Sequence, residues 1–288
     1  MTVQGQGEGR ALNGSAGVVF LEEWVMTVYV CGPEFESILC GIYDAWMSGK
    51  GHGNVRLEIR GANQDMELFS EYVDAADSRE KAGKVLKAME KRLSRDSFRK
   101  VYAAALSCEP GRADAIYRFL IEAFRLGREA ADRLQEEAVY EVFRLSRRVY
   151  NESHCLTEFI RFSQVPGDVL ISRIGPENDV LPLVSPHFAD RMPGENWIIC
   201  DENRRKAAVH PAGKSWFILH RELAREEGRE GEASPWQACL QAQGDEAAYQ
   251  RLWKTFFNSV AIEERHNPVC QRTHLPLKYR RYMTEFQG

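Results

Sequence analysis

A chain of 288 residues, 44% hydrophobic and 28% charged, has an ordinary globular composition and is long enough to bury one large core or two smaller ones. Its formal net charge of −4 excludes a uniformly basic polyanion binder, and no apolar run approaches the roughly 20 residues of a membrane span, so a cytoplasmic protein with no membrane contact is expected. Seven scattered cysteines without a C-x-x-C pair exclude zinc-ribbon and iron–sulfur spacing and argue against a disulfide framework.

In chain order, residues 1–25 carry five Gly before residue 18 and no periodicity, which predicts a poorly ordered leader without the basic and apolar regions of an export signal. Glu22-Glu23 must be encoded by a purine-rich hexamer two codons before Met26, as a translated ribosome-binding site would be, so the natural start is expected at Met26. Thr27–Cys31 alternates as a short strand, after which Gly32-Pro33 opens a helix with Phe35, Ile38, Leu39, Ile42, Tyr43 and Trp46 on one face. Asn54–Arg60 alternates again as a second strand. Helices are predicted over Ser78–Leu93, over Ser94–Leu106 with Ser94 as N-cap, and over Arg112–Leu126 ending at Gly127. A longer helix, Ala131–His154, carries Arg144, Arg147 and Arg148.

From Thr157 the period changes. FIRFSQ, DVLISRI, NWIICD, AAVH and SWFIL are short runs separated by turn residues, as an antiparallel meander requires, with a short helix over Leu181–Met192. Gly228–Gly244 reads as a mobile connection before a last long helix, Asp245–His266. The fold class is therefore α+β: a strand–helix unit and helical region over 26–156, then a small sheet, C-terminal helix and basic-aromatic tail over 157–288, packed as one unit.

Charge is unevenly placed at the end of the chain. Arg221–Gln250 holds three Arg against six Glu and one Asp, a net −4, whereas Arg251–Gly288 holds seven Lys or Arg against three Glu, a net +4. In the tail, Arg272, Lys278, Arg280 and Arg281 interleave with Tyr279 and Tyr282; cations neutralise phosphates while phenol rings stack on exposed bases, a combination suited to single-stranded or distorted DNA. The bland alternative is that Tyr279 and Met283 pin a terminal helix to the core while the arginines reach into water.

Acid–base candidates are few. His187 and Asp190 lie three apart on the short helix and share a face, with Arg191 within one turn. The alternative is a structural joint in which Asp190 pairs with Arg191 and Phe188 enters the core. Glu152 and His154 fall at a predicted helix end, where His154 would complement the helix dipole. Only if the two halves converge would His154, His187, Asp190 and Asp201 form a polar cluster able to do catalysis. No ligand spacing points to a metal, and no nucleotide-binding, zincin or nucleophile-elbow motif is present, so no cofactor is expected.

Three blocks, NESHCLTEFIRF from Asn151, VLPLVSPHFADRMPGENWIICDENRR from Val180 and the tail LWKTFFNSVAIEERHNPVCQRTHLPLKYRRYMTEFQ from Leu252, resemble an uncharacterised bacterial family assigned to DNA metabolism or repair. The resemblance runs from Met26 to the C-terminus. Glu152, His154, Arg161, His187, Asp190, Arg191, Trp197, Asp201, Arg272 and Tyr279 occupy the family's positions, whereas Val269, Leu277 and Arg280 depart from its tail pattern. The resemblance implies a DNA-processing role beside a radical-SAM DNA modification or repair protein, and kinship with domains fused to uracil-DNA-glycosylase-like domains. It adds Arg161 and Arg191 to the DNA-contact candidates. The expected function is an accessory DNA-binding protein; the alternatives are a glycosylase-like or nuclease-like enzyme using His187 and Asp190, and a protein-interaction module that docks through its C-terminal helix.

Overall fold

The structure, a computed structural model, describes residues 25–62, 67–165, 167–220, 250–255, 269, 272–273 and 275–287. The proposed leader, apart from Val25, the Gly228–Gly244 connection and most of the predicted C-terminal helix lie outside the described residues; of that helix, residues 250–255 are helical. The architecture is α+β, built on two sheets and two cores.

β1 (Met26–Cys31) is the central strand of the first sheet, with β2 (Val55–Ile59) and β3 (Ser70–Asp74) parallel to it on either side. The strand-to-helix signal at Gly32-Pro33 holds: α1 (Phe35–Met47) buries Phe35, Ile38, Leu39 and Ile42 against the sheet. β3 was not expected, because SEYVD is polar and, at the edge of the sheet, only partly covered. Ser78 and Ser94 cap α2 (Arg79–Arg92) and α3 (Arg95–Ala105), accepting the N–H groups of Lys81 and Ser97. α4 (Arg112–Leu126) ends at Gly127, whose φ of 72° is the left-handed conformation glycine adopts without strain.

α5 (Glu137–Phe159) starts and ends later than the sequence suggests. Val149 and Leu156 keep the apolar stripe running at helical spacing, so the helix continues to Phe159, the first residue of FIRFSQ, and His154 lies well inside it. The second sheet runs β4 (Ser163–Val165), β5 (Val169–Ile174), β6 (Asn196–Asp201), β7 (Lys206–His210) and β8 (Phe217–His220) in spatial order. Three of its pairings are antiparallel, but β5 and β6 are parallel. The short helix α6 (Leu181–Arg191) is the crossover that a parallel pair needs.

One core fills the space between the first sheet and α1–α5, and the other joins the second sheet, α6 and the C-terminal residues. Both α3 and α5 contribute to each: Val142 and Leu145 of α5 belong to the first core, and Val149 and Leu156 to the second. No helix among the described residues is long and apolar enough to cross a membrane.

Candidate functional site

The tail folds back onto the second core. Leu275, Tyr279 and Met283, four apart, are 8%, 4% and 2% exposed. Tyr279 Oη donates to Glu152 Oε1 at 2.9 Å, joining the tail to α5. Glu152, itself buried, also accepts the backbone N–H groups of Glu177 (2.9 Å) and Asn178 (2.8 Å), the Asn178 side-chain amide (2.7 Å) and, at 3.4 Å, Lys278 Nζ. Burial alone would raise the pKa of this carboxyl, but those donors outweigh it and hold the group below its ordinary value, so it is ionised. Lys278 reaches Glu177 as well, at 2.9 Å.

These contacts correct the expectation for Lys278 and Tyr279. The phenol offers no stacking face to a base, because its ring is in the core; burial and the Glu152 charge push its pKa far up. The lysine is committed to two carboxylates. The bland alternative is what the structure displays: Tyr279 and Met283 pin a short helix, Leu277–Arg280.

The remaining basic residues of the tail divide. Arg280 is half-buried, packs over the Phe286 ring at 4.8 Å and reaches Leu275 O at 3.5 Å. Arg272 is exposed. Arg281 is exposed, lies over the Tyr282 ring at 4.6 Å and donates to its hydroxyl, and has no carboxylate partner among the described residues. Tyr282 Oη in turn donates to Glu202 at 3.0 Å, and burial followed by that carboxylate pushes its pKa up to about 12. Gly175 makes this docking possible: a Cβ there would sit 2.2 Å from Tyr282 Oη and 2.6 Å from Arg281 Nη2.

Arg281 lines a pocket of about 280 Å³ between β4, β5 and the tail. Arg161 and Arg173 supply two further guanidinium groups to it, and Ser163, Tyr282 and Thr284 supply hydroxyls. Arg161 is held by Glu285 at 2.9 Å, a carboxylate with 2% of its side chain exposed, and lies over the Trp253 ring at 5.9 Å. Arg173 pairs with Glu202 at 2.9 Å, with both side chains partly exposed. Three guanidinium groups line one concavity, two of them paired with carboxylates and the third without a carboxylate partner among the described residues. Such a groove attracts an anion of phosphate size and offers planar cations on which a base can lie.

The acid–base candidates do not come together: no hydrogen bond links any two of His154, His187, Asp190 and Asp201 among the described residues. His154 is exposed and pairs with Glu158 at 3.2 Å. His187 and Asp190 stand in solvent on α6, with His187 edge-on to Phe188, and Arg191 is exposed at the helix end. Phe188 is buried against Phe162 and Trp197, so the joint reading holds for the aromatic residue, whereas no Asp190–Arg191 pair forms among the described residues. Asp201 is fully buried, and accepts the N–H groups of Asn203 (3.0 Å) and Arg204 (3.1 Å) in the turn after β6; burial, the largest influence on it, raises its pKa even with Arg204 at 3.3 Å. That is a turn-forming aspartate out of reach of substrate. Among the described residues no group of three or more His, Cys, Asp or Glu is placed to hold a metal ion.

Of the arginines on α5, Arg144 pairs with Glu141 and Arg148 with Glu109, while Arg147 is exposed without an ion pair among the described residues. Arg173 and Glu202 were missed by the sequence reading. Arg173 is exposed in β5, but alternation in DVLISRI was no signal for it, since it shares a face with the buried Ile171. Its meeting with Glu202 depends on the parallel register Ile174↔Asp201, which alternation does not reveal.

No curated protein matches the chain. Residues 110–285 match the family described as a domain of unknown function, DUF4130, a span that takes in α4–α6, the second sheet and the tail with its groove. On that match the chain belongs to the DUF4130 family.

Proposed function

We propose that the protein is an accessory DNA-binding protein of a bacterial repair or modification system, which engages single-stranded or damaged DNA and presents it to a radical-SAM partner. The observation that carries this reading is the groove lined by Arg281, Arg161 and Arg173, in which Arg281 lies over the Tyr282 ring and has no carboxylate partner among the described residues. Phosphate neutralisation supplies affinity there, and the Arg281 guanidinium and Tyr282 ring supply sequence-tolerant surfaces for a base. The contact surface differs from the one expected from sequence: Arg161 and Arg281 serve it, Arg173 joins them, and Lys278 and Tyr279 hold the fold. The family resemblance supports the pathway and the partner. The enzymatic alternative gains no support from His187 and Asp190, which stand apart from the groove's lining.

Fluorescence anisotropy of a single-stranded oligonucleotide across a salt series tests the proposal. Binding is expected to weaken with salt, and Arg281→Ala is expected to lower the magnitude of the log–log slope by about 0.7, the single-strand value per phosphate contact, without changing the melting temperature. An unchanged slope and affinity in Arg281→Ala and Arg173→Ala would remove the groove from DNA binding.

A further inference from the structure

A second cavity, about 390 Å³, lies at the carboxyl end of β1, where the starts of α1 and α4 meet the end of α3 and the strands β7 and β8. Two cations in its lining are almost wholly buried: Arg112 is 8% exposed and Lys206 5%. Lys206 is balanced by Asp179, and the neighbouring Arg204 by Asp201. Arg112 has no such counterpart among the described residues. Its guanidinium donates to three carbonyl oxygens, of Ala105 (3.1 Å), Glu109 (3.2 Å) and Pro33 (3.2 Å), which leaves two of the five N–H donors of an arginine for another acceptor.

The surroundings make this charge costly. Burial pushes the Arg112 pKa down, and the charge of Arg204 acts in the same direction. The Cys31 thiol beside it is pushed up to about 12 by burial and stays neutral, so it supplies no counter-charge. Glu34, on the cavity rim, is exposed and forms no ion pair with it; its charge favours the cation only from a distance and does not outweigh burial. A buried cation without a counter-charge is strongly unfavourable, and an anion in the adjoining space relieves it.

Two further observations concern what the occupant offers. Neither α1 nor α4, helices of 13 and 15 residues, has a side-chain cap at its start, and both starts border the cavity; at α4 the Arg112 N–H donates to Glu109 O at 3.3 Å. Asp179 Oδ1, on the opposite account, is buried and lacks any hydrogen-bond donor. An occupant therefore brings several acceptor oxygens for Arg112 and the helix starts, and one hydroxyl hydrogen for Asp179. We propose that this cavity binds a small phosphate monoester, the phosphate answering Arg112 and a sugar hydroxyl answering Asp179. The site is separate from the groove beneath Arg281 and stands whether or not that groove binds DNA.

Cys108, an exposed free cysteine in the cavity lining, gives a direct readout. Alkylation of the full chain is followed by peptide mass spectrometry at Cys108, with Cys155, which does not line this cavity, as internal reference. The probes are a deoxynucleoside 5′-monophosphate, ribose 5-phosphate and inorganic phosphate, against chloride at equal ionic strength. For a millimolar Kd, about 10 mM of either monoester is expected to slow Cys108 alkylation about tenfold and saturably, with Cys155 unchanged. Protection by the monoesters at lower concentration than by inorganic phosphate supports the sugar contact. Protection by inorganic phosphate alone overturns the monoester assignment, and no protection beyond chloride overturns the site. Arg112→Met is expected to lose the protection; since that change also affects folding, the wild-type chain provides a second measurement, a rise in melting temperature with monoester that chloride does not reproduce.

Discussion

Replacing Glu152 by alanine is expected to destabilise the protein by roughly 3–5 kcal/mol, the range for removing one member of a buried, charged hydrogen-bond network. Four donors besides Lys278 converge on this carboxylate, and three of them belong to the Glu177–Asn178 turn. Without the acceptor each buried donor loses its partner, and the tail loses its polar tie to α5. Lys278, 40% exposed, adds little by comparison. The pH dependence has a definite sign. The carboxyl's pKa is lower folded than its ordinary 4.5, so its stabilisation is fully present above the unfolded value and is lost as pH falls through the folded one. Glu152→Gln should remove that acid-side loss. Thermal melts of wild type and Glu152→Gln between pH 3 and pH 7 check both statements; parallel curves would contradict the role given to Glu152.

The second large effect is expected from removing the tail. Deletion of residues 275–288 strips Leu275, Tyr279 and Met283 from the second core. At roughly 1.5–3 kcal/mol for each fully buried side chain, the loss is of the order of the net stability of a domain. The region around β5, β6 and α6 should become protease-sensitive and bind hydrophobic dyes, whereas the first core, which contains none of the three, keeps its packing. A truncated protein that melts as the full chain does would show that the tail is not structural. The same expectation bears on partner binding, since a deletion that unfolds the second core abolishes any interaction, whatever surface mediates it. Point changes at Arg281 and Arg173 are the cleaner probes.

Much of the fold was legible because the signals were local. Ser78 and Ser94 precede helices as caps, Gly127 stops one, and the period-2 runs of the second half all fall in or overlap strands. What escaped depended on distant partners. β3 is a strand because β1 lies beside it, not because SEYVD is apolar. The parallel β5–β6 pair was implied by a helix between two strand-like runs, a signal outweighed by the expectation of a meander. At the site, composition could not decide between a phenol that stacks on a base and one that anchors the chain, since Tyr279 suits either; Glu152, 127 positions away, decides it. Lys278 meets two carboxylates whereas Arg281 meets none among the described residues, a difference that sequence spacing does not disclose.

The claim that DNA runs through the groove beneath Arg281 is tested most directly by photo-crosslinking. A single-stranded oligonucleotide carrying 5-iododeoxyuridine is irradiated with the full chain, and the adducts are mapped by tryptic mass spectrometry. Adducts at Tyr282, on the fragment that follows Arg281, are expected, and they should fall away with added salt and in Arg281→Ala. Adducts confined to α6 around His187, with Tyr282 unmodified, would contradict the account.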